Sequence, residues 1–236
     1  MTNFRDLLLL PFKILQRIFS PEPVFTEIAI PVPQPLGLTN LPDNIYFDVH
    51  TNFTPAQVQL LRDTISGVLQ YWAVHMSQRW AGGTNTGVSQ LAACANTYAT
   101  RNLEPIWHQG PPITNGAMAT NVAMNQLTRM IRDNGFRRAP RARITPRSTG
   151  TVFATTAISQ NTIPLSFSVN MANFQRPDVN AAIRQGSIFH AFLHRAGFYD
   201  PKTSTYFISE APMCVIRGYQ PKVPGFNDAN FYNFFD

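Results

Sequence analysis

The chain has 236 residues, of which 44% are hydrophobic and 14% are charged. This is a globular composition, which excludes an intrinsically disordered chain, and no segment approaches the roughly 20 apolar residues of a membrane-spanning helix. The net charge of +6 favours anionic partners, but it does not choose among nucleic acid, a membrane surface and an acidic protein.

Residues 1–43 are predicted to form an extension that is separate from the body. An amphipathic stretch, MTNFRDLLLLPFKILQRIF, precedes a proline-rich segment at 21–43, which we interpret as an extended linker. One role is a pro-segment over a cleft, and another is contact of residues 1–20 with an anionic membrane. A helix docked on its own domain is favoured over a membrane anchor. No signal-peptide cleavage site is recognisable, so we expect a cytoplasmic or non-classically exported protein.

The body, 44–236, mixes strand and helix patterns. An alternating strand at 45–50 precedes a helix that has Thr54 as N-cap and Pro55 at its first position, and that runs to near Gly82. Further elements are predicted as helices at 89–98, 117–133 and 177–196 and as strands at 151–159 and 163–170.

The segment from Phe189, FHAFLHRAGFYD, has the spacing of a metal site. On a helix, His190 and His194 lie on one face on successive turns. Gly197 suits a left-handed helix end, after which Asp200 can turn back towards the histidines. Two imidazoles and one carboxylate leave a fourth position open, as in catalytic zinc sites. The alternative is an ordinary helix with two structural histidines.

This segment resembles the metzincin metalloproteases, whose signature is H-E-x-x-H-x-x-G-x-x-H/D, and its aspartate variant resembles the snapalysin group. The resemblance implies Zn²⁺ bound by His190, His194 and Asp200. It also implies a tight turn in SEAPMCVIRG that places Met213 beneath the metal as packing. The substrate would be a protein or peptide, added as a strand along an edge strand within 151–170.

The fold that the resemblance implies is α+β. A mixed twisted sheet, a long backing helix and the active-site helix would form an upper subdomain to about residue 197. Residues 198–236 would form a small irregular lower subdomain.

The chain departs from the metzincin pattern at two positions. Ala191 stands where a glutamate would take the proton of the attacking water, and Val215 stands where some members have a tyrosine. Tyr199 and Tyr219 lie nearby in sequence but match no motif position. Zinc would still bind, because that glutamate is not a ligand.

Ala191 has two interpretations. In the first, which we favour, alanine replaces the glutamate of an active zinc metalloendopeptidase, because an unused site usually loses its metal ligands as well. In the second, the protein is a natural pseudoprotease, a binding module that keeps the metal cleft.

The remaining candidate residues carry weaker signals. His50, His75 and His108 lack partner spacing and are interpreted as structural. The arginine-rich stretch at 129–147 lacks aromatic interleaving, so a nucleic-acid partner is not favoured. Cys94 and Cys214 allow one disulfide, which the sequence leaves open. An upstream acidic residue could cap the zinc in a pro-segment, the candidates being Asp6, Glu22, Glu27 and Asp43.

Overall fold

Strands and helices are interspersed in the computed structural model, which describes residues 24–138, 140–148, 150, 154–155, 165–199, 203–232 and 234–235. In chain order the elements are β1 (Phe25–Pro31), β2 (Asn44–His50), α1 (Pro55–Arg79), α2 (Gln90–Tyr98), α3 (Gly116–Gly135), β3 (Ala142–Pro146), β4 (Ala154–Thr155), β5 (Phe167–Val169), α4 (Met171–Phe174), α5 (Ala181–Arg195), α6 (Phe207–Ile216) and α7 (Ala229–Tyr232).

One mixed sheet of five strands has the order β1-β2-β3-β5-β4. Strands β2, β3 and β5 are parallel, while β1 and β4 pair antiparallel with their neighbours at the two edges. Helix α1 packs against β1 and α5, and α3 packs against β2. The predicted α+β class and mixed sheet are therefore confirmed.

The separate extension predicted for residues 1–43 is wrong for its described part. Strand β1 pairs with β2 along seven residues, from Phe25 opposite His50 to Pro31 opposite Asn44. Alternating side chains of this strand, Ile28 and Ile30, are buried in the core. Prolines flank the strand, and Pro31 stands at its last position, where an edge strand tolerates the missing N–H. Residues 1–23 lie outside the described residues.

Helix α1 begins where the sequence predicts. Thr54 accepts from the backbone N–H of Gln57 at 3.3 Å, and the Gln57 side chain accepts from the N–H of Thr54 at 3.0 Å. This capping box, with Pro55 in the first turn, satisfies two orphan donors. The helix ends at Arg79, three residues before the predicted Gly82. At its centre Trp72 is fully buried and donates to Thr128 on α3 at 2.9 Å.

Strand β3 lies at the centre of the sheet, although the sequence predicted no strand there. Its buried residues, Ala142 and Ile144, alternate with arginines that mask the apolar pattern. Most of the predicted strand at 151–159, and residues 163–164 of the next, lie outside the described residues. The parts that are described form the short strands β4 and β5.

The region after residue 197 contains a ten-residue helix, α6, between loops, so its described part is not wholly irregular as predicted. Helix α6 is almost fully buried and packs along α5 and α2. A disulfide between Cys94 on α2 and Cys214 on α6 fixes this packing. Among the residues that the structure describes, no helix is long and apolar enough to cross a membrane.

Candidate metal centre

Helix α5 places both histidines of the motif in the interior. Its first turn is capped by Asn180, whose side chain accepts from the N–H of Ile183 at 3.0 Å. This cap starts the helix at Ala181, four residues after the predicted start at Pro177. His190 is 0% exposed and His194 is 5% exposed. Their ring centroids lie 4.7 Å apart at an interplanar angle of 88°, so the two imidazoles share one face, as predicted.

Backbone carbonyls determine which nitrogen carries the proton in each neutral histidine ring. Nδ1 of His190 lies 2.8 Å from the carbonyl oxygen of Ile208, and Nδ1 of His194 lies 2.9 Å from that of Phe198. A carbonyl can only accept, so each neutral ring must carry its proton on Nδ1. The lone pair is then on Nε2 in both residues. Metal-ligating histidines in proteins have this arrangement, in which the non-ligating nitrogen donates to a carbonyl or carboxylate.

The end of α5 has the geometry that the sequence predicts for Gly197. Gly197 has a φ of +99°, its N–H donates to the carbonyl of His194 at 2.9 Å, and the N–H of Phe198 donates to that of Leu193 at 3.1 Å. These two bonds form a Schellman motif. A Cβ at position 197 would also lie 2.5 Å from Nε1 of Trp107, so the position requires glycine.

The predicted third ligand, Asp200, lies outside the described residues. Within the described part of the chain, no three metal-ligating side chains converge. The structure brings together the rings of His190 and His194, whose lone pairs are on their Nε2 atoms. Both atoms suit Zn²⁺, for which neutral imidazole is a common ligand.

Ala191 lies on α5, between the two histidines in the sequence, and is fully buried. Its side chain ends at Cβ, so the position offers no group that could accept or donate a proton. Tyr199 is half exposed, and its carbonyl accepts from the Asn102 side chain. Burial and the neighbouring Tyr71 raise the pKa of Tyr219 to about 12. Neither tyrosine contacts the histidines in any described interaction.

Met213 lies inside α6 and not on a tight turn, which corrects the predicted methionine turn. It is fully buried and forms a small cluster with Tyr232 and Phe235. Phe235 in turn stacks on the ring of His190, with centroids 4.6 Å apart and an interplanar angle of 18°. Met213 is therefore linked to His190 through the ring of Phe235, and its place beneath a metal stays a prediction.

A polar cluster that the sequence does not signal holds the C-terminal segment against α6. The buried Glu210 carboxylate accepts from Lys222 at 2.9 Å, from the Tyr232 hydroxyl at 3.1 Å and from a backbone N–H at 3.0 Å. Asp228 pairs with Arg217 at 2.6 Å. Burial, with the charges of Glu210 and Asp228, raises the pKa of Tyr232 above its ordinary value. No short-range spacing signals this cluster, because its members come from two helices and two loops.

A cavity of 490 Å³ opens beside this cluster. Tyr232, Ser204 and Lys222 supply polar groups to its wall.

The other candidate residues serve structural roles in their described contacts. Glu27 forms a two-pronged ion pair with Arg137 at 2.9 and 3.0 Å and also binds Arg141, so it does not cap the histidines. The carbonyl of Asp43 accepts from the N–H of Val32. The rings of His50 and His108 bind nearby backbone groups. Asp6 and Glu22 lie outside the described residues.

Much of the arginine-rich stretch is occupied by contacts within the protein. Arg137 stacks on Tyr46 at 3.8 Å, and Arg143 lies over Phe25 at 5.0 Å. Arg141 bridges two carboxylates and Arg129 pairs with Asp133 on its own helix. In their described contacts, these arginines do not form a continuous surface of free cations.

Comparison with protein-family models, with curated proteins and with solved structures gave no match.

Proposed function

We propose that the protein is a zinc-dependent metalloendopeptidase of metzincin type, in which alanine at position 191 replaces the hydrolytic base. The observation that carries the proposal is the shared tautomer of His190 and His194. Both rings direct their N–H at a backbone carbonyl, so the lone pair of each ring is on Nε2, the nitrogen that would bind a metal. With Asp200, which follows the glycine of the helix end, they would form a three-ligand site with one open position.

The order of elements also supports this proposal. A strand, a long helix, three further strands and the helix with the histidines occur in the order β2, α1, β3, β4, β5 and α5, with α2 and α3 inserted between α1 and β3 and the short α4 before α5. The antiparallel strand β4 stands at the sheet edge beside β5 and contacts α5. A peptide substrate could pair with that edge by strand addition.

The chemistry of such a site divides between the metal and the protein. Zinc supplies Lewis-acid polarisation of a peptide carbonyl. A side chain must take the proton of the attacking water and return it to the leaving amine. Ala191 can do neither, so this chain binds and orients a peptide but has at most trace turnover.

The test is the gain of hydrolysis on restoring a base. Ala191→Glu should raise zinc-dependent peptide cleavage by about 10²–10⁴-fold, the contribution of a positioned acid–base group. Ala191→Gln is the matched control, because it adds the same volume without a base. Activity should disappear with a chelator or with His194→Ala in the same background.

One observation favours the alternative, a natural pseudoprotease that binds peptides without cutting them. Ala191 is fully buried, so a glutamate there would have to displace its neighbours or remain partly desolvated. If Ala191→Glu folds and binds zinc but cleaves neither itself nor a broad peptide library, the alternative replaces the peptidase.

A further inference from the structure

Helix α6 contains a proline where the helical hydrogen-bond pattern needs an N–H. Pro212 is the sixth residue of the helix, so in an α-helix its N–H would donate to the carbonyl four residues earlier, that of Ile208. Proline has no N–H, and its ring pushes against that same carbonyl. The Ile208 carbonyl is therefore left without its regular helical donor.

The donor that reaches this carbonyl comes from the neighbouring helix. Nδ1 of His190 lies 2.8 Å from the Ile208 oxygen, and both groups are buried. The Ile208 carbonyl oxygen therefore lacks its helical donor and accepts from the His190 ring instead.

A glycine on α5 permits the close approach that this bond requires. Gly186 lies one turn before His190, on the side of α5 that faces α6. A Cβ at Gly186 would lie 2.7 Å from Cγ1 of Ile216 and 3.4 Å from the carbonyl oxygen of Pro212. A larger residue would push the two helices apart near the hydrogen bond.

We propose that Pro212 is a positioning residue for the metal centre: it frees the Ile208 carbonyl to accept the Nδ1 proton of His190, and so holds His190 in the tautomer that presents Nε2 to a ligand. The zinc part of this inference rests on the proposed function, whereas the tautomer of His190 does not. The residue acts on His190 through a backbone carbonyl and touches no ligand itself.

The test is Pro212→Ala, for which stability and metal affinity should change in opposite directions. The alanine N–H competes for the Ile208 carbonyl and repairs the helix, so the midpoint of thermal unfolding should rise. The same competition weakens the bond to His190, and zinc affinity should fall about tenfold, the lower end of the effect of losing such a supporting contact. A merely structural proline would not separate the two readouts.

The control is Pro55→Ala at the first position of α1. The N–H that this proline lacks has no helical acceptor in any case, so zinc affinity should not change. Both variants are compared with the unmodified protein for zinc affinity by competition with a chromogenic chelator.

A second measurement tests the tautomer without any metal. In the ¹⁵N spectrum of the zinc-free, otherwise unmodified protein, His190 should be protonated on Nδ1, and Pro212→Ala should increase the Nε2-protonated fraction. An Nε2-protonated His190 in the unmodified protein, or a tautomer and zinc affinity unaffected by Pro212→Ala, would overturn the inference. If no zinc binds but the tautomer shifts as expected, the proposed function fails and the role of Pro212 stands.

Discussion

His75, His190 and His194 are all buried, but the groups around their ring nitrogens differ. The Nδ1 atoms of His190 and His194 face backbone carbonyls, which fixes one tautomer. His75 instead lies 2.7 Å from the hydroxyl of Ser89, the N-cap of α2. Burial, with the nearby Arg79 guanidinium, lowers the pKa of His75 to about 3 from its ordinary 6.5. His75 is therefore a neutral core residue with a structural role.

This low pKa predicts a loss of stability in acid. Between pH 6.5 and about 3 the unfolded chain binds a proton at His75 that the folded protein does not, so folding becomes less favourable as the pH falls. The contribution is about 1.4 kcal/mol per pH unit well below pH 6.5.

The measurement is urea unfolding between pH 4 and pH 7 for the unmodified protein and for His75→Asn. Asparagine keeps a polar atom near the Nδ1 position and does not titrate. The variant should lose less stability per pH unit in this range. Parallel pH profiles for the two proteins would show that His75 does not titrate differently on folding.

Element by element, the sequence predicts the structure best where local signals and burial agree. Helix α1 was predicted because its cap and its apolar spacing point to the same start. Strand β3 was missed because Arg141 and Arg143 flank its buried residues and make the segment look polar. The contact of Arg143 with the Phe25 ring comes from another strand, so the alternation of residues along β3 does not reveal it. Strand β1 was missed because the prolines around it outweighed the short alternation of Ile28 and Ile30.

Helix α6 was missed for a different physical reason. Pro212 argues against a helix by local propensity, yet the helix forms because almost every side chain in it is buried and because α5 supplies a donor for the carbonyl that the proline leaves free. Tertiary contacts of this kind cannot be read from spacing along the chain. The same holds for Phe235, which reaches His190 from 45 positions away in the sequence.

Within the candidate site, too, the motif predicted the local features but not the contacts made by distant parts of the chain. The motif spacing predicted that His190 and His194 share a helix face and that Gly197 ends the helix in a left-handed conformation, and both predictions are confirmed. The carbonyl partner of His194 is Phe198, four residues away within the motif segment, whereas the carbonyl partner of His190 and the aromatic packing on its ring come from α6 and the C-terminal segment. Since these contacts of His190 are long-range, the motif alone could not indicate them.

At the scale of the whole molecule, one covalent bond connects the α2 region to the helix beside the metal centre. The disulfide between Cys94 and Cys214 spans 120 residues, and α6 carries both Cys214 and the Ile208 carbonyl. Disulfides form and persist mainly in oxidising compartments. An oxidising compartment is therefore where we expect this bond to persist.

Breaking this bond should destabilise the protein. Replacing both cysteines by serine should lower the free energy of unfolding by about 2–4 kcal/mol, because a long loop of the unfolded chain is no longer closed. Urea unfolding of the double variant against the unmodified protein measures the difference. Thiol titration of the denatured, unreduced protein is the check: two reactive thiols per chain would contradict the disulfide.

The most direct test of the central claim is the zinc content of the purified protein. After removal of metal by a chelator, reloading and dialysis, elemental analysis should find about one zinc per chain. His190→Ala, His194→Ala and Asp200→Ala should each abolish it, because the site needs all three ligands. His75→Asn, a change at a buried histidine outside the motif, should leave it intact. Absence of zinc from the unmodified protein, or equal zinc in the three ligand variants, would contradict the metal centre.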